Sequence, residues 1–85
     1  MIIRFSEHAL EKFNDPQLVK FRINREMVEY VVMNPEQEDR ISRPGQVIAQ
    51  RLFDRTHVLR VVYKQEFNYV KIITLYVGRK KQYAS

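Results

Sequence analysis

The hydrophobic period of this chain changes once, at Gly45. Before it, apolar side chains recur at helical spacing; after it, Val, Ile, Tyr and Thr gather into three runs of extended, β-prone sequence. A chain divided in this way stacks helices on a sheet, because each element must bury its one apolar face against another. With 85 residues there is material for one core, and with no Cys that core is built without disulfides, as suits a reducing compartment. The expectation is a single α+β domain over residues 1–85.

Residues 2–5 are apolar and β-prone and lead into Ser6, a helix N-cap residue, with Phe5 and Leu10 at staple spacing. Phe5, Ala9 and Phe13 then form a stripe every fourth residue, while Glu7, Glu11 and Lys12 face water. Asn14-Asp15-Pro16 ends this helix, and residues 17–23 either extend it or form a packed loop. Asn24 is the next N-cap, and Met27, Val28, Val31 and Val32 give a second helix an apolar face that stops near Asn34, before Pro35. Residues 35–45, with a charge run from Glu36 to Arg40, read as a solvated connection. Residues 46–53, 58–63 and 69–77 read as three strands joined by polar turns, hence an antiparallel meander. The predicted order is β-α-α-β-β-β, an antiparallel sheet with two helices packed on one face.

Charge divides the chain much as periodicity does. Residues 1–39 carry five basic against eight acidic residues, net −3, and residues 40–85 carry ten against two, net +8. Such asymmetry fits a polyanion surface, since each phosphate met by Lys or Arg releases counterions; a basic sheet lying beside acidic helices fits it equally well. No stretch near Met1 has the length of a signal peptide or a membrane span, so the cytoplasm is the expected compartment and no membrane partner is implied.

Four residues carry the chemistry worth weighing. Alternation puts Val70, Ile72, Thr74 and Tyr76 on one face of the last strand and Lys71, Ile73, Leu75 and Val77 on the other. An even hairpin register brings Arg60 to the face of Thr74 and Tyr76, and an odd one turns it away. Together they would offer a guanidinium fork for phosphate, a hydroxyl, and a phenol able to give a proton or stack on a base. Spacing alone favours the plainer reading, a polar cross-strand pair with Tyr76 at the rim. His8 lies in the first turn of its helix, where the dipole favours neutral imidazole and so a general base, with Lys12 one turn further on; the plainer reading is a surface histidine. Arg79, Lys80, Lys81 and Tyr83 form a basic tail that either tracks a phosphate backbone or only aids solubility, and Arg51 extends the same basic half. Gly45 and Gly78 are the only glycines, so no phosphate loop exists, and two His without Cys or clustered carboxylates argue against a zinc site. An enzyme built from this chain is expected to need no cofactor and no metal.

Taken in order, Ser6-Glu7-His8-Ala9-Leu10-Glu11-Lys12-Phe13, Arg22-Ile23-Asn24, Asn34-Pro35-Glu36, Leu59-Arg60-Val61-Val62-Tyr63, Ile72-Ile73-Thr74-Leu75-Tyr76, Arg79 and Tyr83 resemble a family of small prokaryotic domains grouped with the RelE/ParE toxins. The resemblance covers nearly the whole chain. One departure is that the family's Arg-Gly-Ile-Ser turn appears here without its glycine. The resemblance implies a sheet with helices on one face and a metal-independent endoribonuclease acting on RNA, either free or as ribosome-bound message, and held in check by an antitoxin; it leaves room for a homodimer. It further implies His8 as base or acid, Arg60 as phosphate stabiliser, and Thr74, Tyr76 and Arg79 as supporting groups. The alternative is a non-catalytic module of the same fold that binds RNA or protein.

Overall fold

A computed structural model describes residues 1–83. Five strands make one sheet in the order β1-β5-β4-β3-β2: β1 is Ile3–Phe5, β2 Gln37–Asp39, β3 Val47–Leu52, β4 His57–Gln65 and β5 Val70–Arg79. The helices are α1 Glu7–Lys12, α2 Pro16–Lys20, α3 Arg25–Met33 and a terminal turn, α4, Lys80–Tyr83. The α+β class and the β3-β4-β5 antiparallel meander agree with the sequence. Two features of the predicted architecture do not. The sheet is mixed, because β1 pairs parallel to β5 while every other neighbouring pair is antiparallel. And the order is β-α-α-α-β-β-β-β-α, since residues 17–23 contribute a separate helix, the Glu36 to Arg40 charge run contains β2, and the basic tail is helical. The three-residue β2 escapes a periodicity reading because it is an edge strand with polar residues on both faces.

One face of the sheet is covered. Ala9 of α1, Leu18 of α2, and Val28, Val31 and Val32 of α3 bury against Val47, Ala49, Leu59, Val61, Tyr63, Val70, Ile72, Leu75 and Val77. Both predicted caps form: Ser6 Oγ accepts the Ala9 N–H at 3.0 Å, and Asn24 Oδ1 accepts the Met27 N–H at 2.9 Å. The Phe5–Leu10 staple does not. Phe5 packs instead on Phe13, with ring centroids 5.9 Å apart, and Leu10 is exposed.

Asn14-Asp15-Pro16 is both a stop and a start. Asp15 Oδ1 accepts the Gln17 N–H at 2.9 Å, and Pro16 takes the first helical position of α2, where its missing N–H is no loss. The C-terminus of α2 closes in a Schellman motif: the Ile23 N–H donates to Leu18 O and the Arg22 N–H to Val19 O, both at 3.0 Å, and Ile23 and Leu18 bury together. That motif turns through a left-handed residue, and Arg22 supplies it with φ 55°. This is the turn whose glycine the sequence lacks.

Alternation along β5 is broken by a bulge. Val62 pairs with Thr74 and Tyr63 with Ile72, so Ile73 is the extra residue. The face assignment read from simple parity is therefore corrected: Val70 and Ile72 share the helix-covered face with Leu75 and Val77, while Thr74 and Tyr76 lie on the opposite face.

Two consequences can be measured. Replacing Arg22 with Gly removes the side-chain strain of the left-handed turn, about 1–2 kcal/mol, at an unfolded-state entropy cost of about 0.4–1 kcal/mol. A net gain of about 0.5–1 kcal/mol is expected as a higher urea midpoint at unchanged slope. In the same assay Leu75→Ala, which empties a fully buried site, costs about 2–5 kcal/mol, whereas Ile73→Ala, at the half-buried bulge, costs less than about 1.5 kcal/mol. Equal losses would restore the unbroken alternation.

Candidate functional site

On the sheet face away from the helices, polar side chains meet beside the buried Ile48, Val58 and Val62. The pairing rows Gln50–Arg60–Tyr76 and Ile48–Val62–Thr74 cross β3, β4 and β5, and β2 extends them with Gln37 and Asp39. Arg60, Thr74 and Tyr76 thus share a face in the even register. Arg60 Nε donates to Tyr76 Oη at 3.0 Å, and its Nη1 donates to Gln50 Oε1. The guanidinium also lies 4.0 Å from the centroid of the Tyr83 ring.

His8 reaches the same face from the edge of the sheet. Ser6 donates its backbone N–H to Ile72 O and its hydroxyl to Ile73 O, each at 3.0 Å, pinning the start of α1 to the bulge. Two residues later, His8 Nε2 sits 3.0 Å from Thr74 Oγ1, with its ring exposed. Imidazole, hydroxyl, phenol and guanidinium therefore line up along β5 and into β4.

Other predicted positions divide. Tyr83 joins the site, but as a ring folded back by α4 rather than on a free tail: Gln50 Nε2 donates to Tyr83 O at 3.3 Å, and a Cβ at Gly78 would collide with the ring. Glycine in β5 is thus a condition for that ring lying on the strand. Arg51 does not join. It is on the helix-covered parity of β3, where Nη1 caps Asn34 O at 2.9 Å at the end of α3 and the guanidinium stacks on Tyr30 at 5.1 Å. Lys12 pairs with Asp15 at 3.7 Å beside the α1–α2 turn. Arg79, Lys80 and Lys81 are exposed at the far end of β5 and in α4.

Electrostatically, Arg60 is held by neutral partners. Among the described residues it forms no ion pair with a carboxylate. Asp39 lies on the same face but is committed elsewhere: its oxygens accept the Ser42 hydroxyl at 2.5 Å and the Ser42 and Ile41 N–H groups at 2.9 Å. Those bonds, first that of the Ser42 hydroxyl, pull its pKa down to about 2, and Arg60 adds a smaller through-space contribution. Among the described residues no three His, Asp or Glu side chains gather to hold a metal, and no helix is long and apolar enough to cross a membrane.

Sequence reasoning missed Gln50 and Ser6 as site builders. Gln50 carried a signal, a polar residue on the parity of Ile48 and Leu52 in β3, and the structure buries it. Ser6 carried one only as a cap. Comparison with protein-family models, with curated proteins and with solved structures finds no match to this chain.

Asp39 gives the site a pH test. A carboxyl whose folded pKa is lowered stabilises the fold above its ordinary value of 3.8, and that contribution is lost as pH falls through about 2. The Asp39 carboxyl carbon is expected to titrate near 2 by NMR, and Ser42→Ala to move it back toward 3.8. A midpoint near 4 in the wild type would mean the Asp39–Ser42 turn does not form in solution.

Proposed function

We propose that this chain is a RelE/ParE-like toxin: a metal-independent endoribonuclease that cuts RNA at the face formed by His8, Thr74, Tyr76 and Arg60. The observation that carries the reading is the alignment of those four side chains on one sheet face as the pairs His8–Thr74 and Arg60–Tyr76, with an exposed imidazole at one end and, at the other, a guanidinium that pairs with no carboxylate among the described residues. Metal-free RNA cleavage needs three things: a base for the ribose 2′-hydroxyl, positive charge for the phosphorane, and a proton for the departing 5′-oxygen. His8, Arg60 and Tyr76 are assigned to them in turn, with Thr74 marking the place of the 2′-hydroxyl.

In the Nδ1-protonated tautomer, His8 Nε2 accepts the Thr74 hydroxyl proton, and a substrate 2′-hydroxyl takes the place of that hydroxyl. The 2′-oxygen attacks the adjacent phosphorus as its proton passes to Nε2. Arg60, with two of its five N–H groups spent on Tyr76 and Gln50, turns the rest toward the phosphoryl oxygens. Tyr76, whose oxygen already accepts from Arg60, is free to give its own proton to the leaving 5′-oxygen. The products are a 2′,3′-cyclic phosphate and a 5′-hydroxyl. An antitoxin with an acidic segment would silence the enzyme by covering the cationic face, gaining order as it binds.

Inducing the chain in bacteria and mapping new RNA ends tests the reading. Wild type is expected to generate 5′-hydroxyl ends, and purified protein to cut in EDTA but not at a position bearing a 2′-deoxyribose. His8→Ala is expected to slow cleavage by about 10²–10⁴-fold while RNA affinity changes little. If wild type binds RNA and never cuts it, the same surface is a binding module and the nuclease reading is lost.

A further inference from the structure

At the end of the sheet beyond Arg60, two segments distant in sequence close on each other. The β3–β4 turn and the β5–α4 junction are joined by the Lys80 N–H, which donates to Thr56 O at 2.8 Å. Between them lies a pocket of about 440 Å³ lined by Arg55, Thr56, Arg79, Lys80 and Lys81. Four of its five lining residues are cations, and among the described residues none of the four has an ion-pair partner. The carboxylate of the turn, Asp54, is exposed but engaged within its own turn: its oxygens accept the Thr56 and His57 N–H groups, both at 2.8 Å, and meet His57 Nδ1 at 3.1 Å. Its pKa is lowered, chiefly by the Thr56 N–H, which marks those oxygens as occupied.

We propose that this pocket is a second nucleotide subsite, holding a backbone phosphate and its sugar or base from the same single strand that crosses Arg60. The inference rests on the RNA reading of the Arg60 face and adds to it a direction and a footprint. The lining is mostly carbon and comes from long side chains that end in ammonium and guanidinium groups; a nucleotide presents the matching pair, an apolar ring face and an anion. Its place is also right. The His57–Arg79 row lies three residues along β4 from Arg60–Tyr76, about 10 Å at strand rise. The turn α4 spans the interval, with Lys80 and Lys81 at the pocket and Tyr83 on Arg60. An RNA strand lying along α4 meets both.

Fluorescence anisotropy with a labelled, uncleavable 2′-deoxy single strand of about ten nucleotides tests this across a salt series. The full chain is compared with R55Q/K81Q, two exposed positions outside the core, and with Arg60→Ala. The double variant is expected to lose about tenfold in affinity at low salt and to flatten the log–log salt slope by about 1.4, two contacts at roughly 0.7 each. An unchanged affinity and slope overturns the subsite, even if the wild type cuts RNA. The reverse result, weakened binding in a chain that never cuts RNA, keeps the subsite and removes only the nuclease. Poly-glutamate serves as a competing polyanion: if its binding falls as far as that of the oligonucleotide, the pocket accepts acidic protein and the nucleotide assignment is wrong.

Discussion

Everything at the open face depends on one joint, between Ser6 and the bulge in β5. A bulge leaves its extra residue's backbone outside the regular ladder, and an unpaired carbonyl there is costly. Ser6 answers with two donors, its N–H to Ile72 O and its hydroxyl to Ile73 O, while its oxygen still accepts the Ala9 N–H. A single residue thereby extends the parallel β1–β5 pairing through its backbone, and through its hydroxyl caps α1 and fixes the helix against the strand. The consequence for function is positional. With the first turn of α1 held at the bulge, His8 has no choice of neighbour and meets Thr74. The same bulge reverses strand parity, so that Thr74 and Tyr76 face away from the core while Ile72, Leu75 and Val77 remain in it.

Arg60 is the second constraint. A half-buried guanidinium in the middle of a sheet is usually matched by a carboxylate; here the partners are a phenol, an amide and a ring face. These fix its geometry without cancelling its charge. Neutral hydrogen-bond partners cost the cation none of its attraction for an anion, and the Tyr83 ring adds orientation through cation–π contact. Asp39, the acidic residue on that face, is withdrawn into its own turn with Ser42. Preorganised positive charge with a free side is what a phosphate site requires.

How much of this was legible follows from the range of each interaction. The caps at Ser6 and Asn24, the break at Asn14-Asp15-Pro16 and the three long strands are written in local sequence, and they were read from it. The positions that escaped depend on partners far along the chain. Nothing near Ile73 announces a bulge, because its cause is Ser6, 67 residues earlier. Nothing near Arg51 separates it from Arg60 except odd and even parity, and parity holds in β3 where no bulge intervenes. Arg22 is the opposite case: the missing glycine was visible, yet only the Schellman geometry shows that the backbone keeps the left-handed turn without it.

The charge division of the sequence finds its structural meaning in the last four described residues. α4 begins at the basic pocket and ends with Tyr83 on the guanidinium, and Gly78 permits that return by leaving the strand surface bare. Were residue 78 any larger, its Cβ would meet the Tyr83 ring and the ring would have to shift from its place over Arg60. The basic half of the chain is therefore more than a diffuse positive surface. A glycine, a ring and a single backbone hydrogen bond to Thr56 set Arg60, α4 and the β3–β4 turn in one line, and under the RNA reading proposed above an extended strand, unlike a small anion, would reach the whole of it.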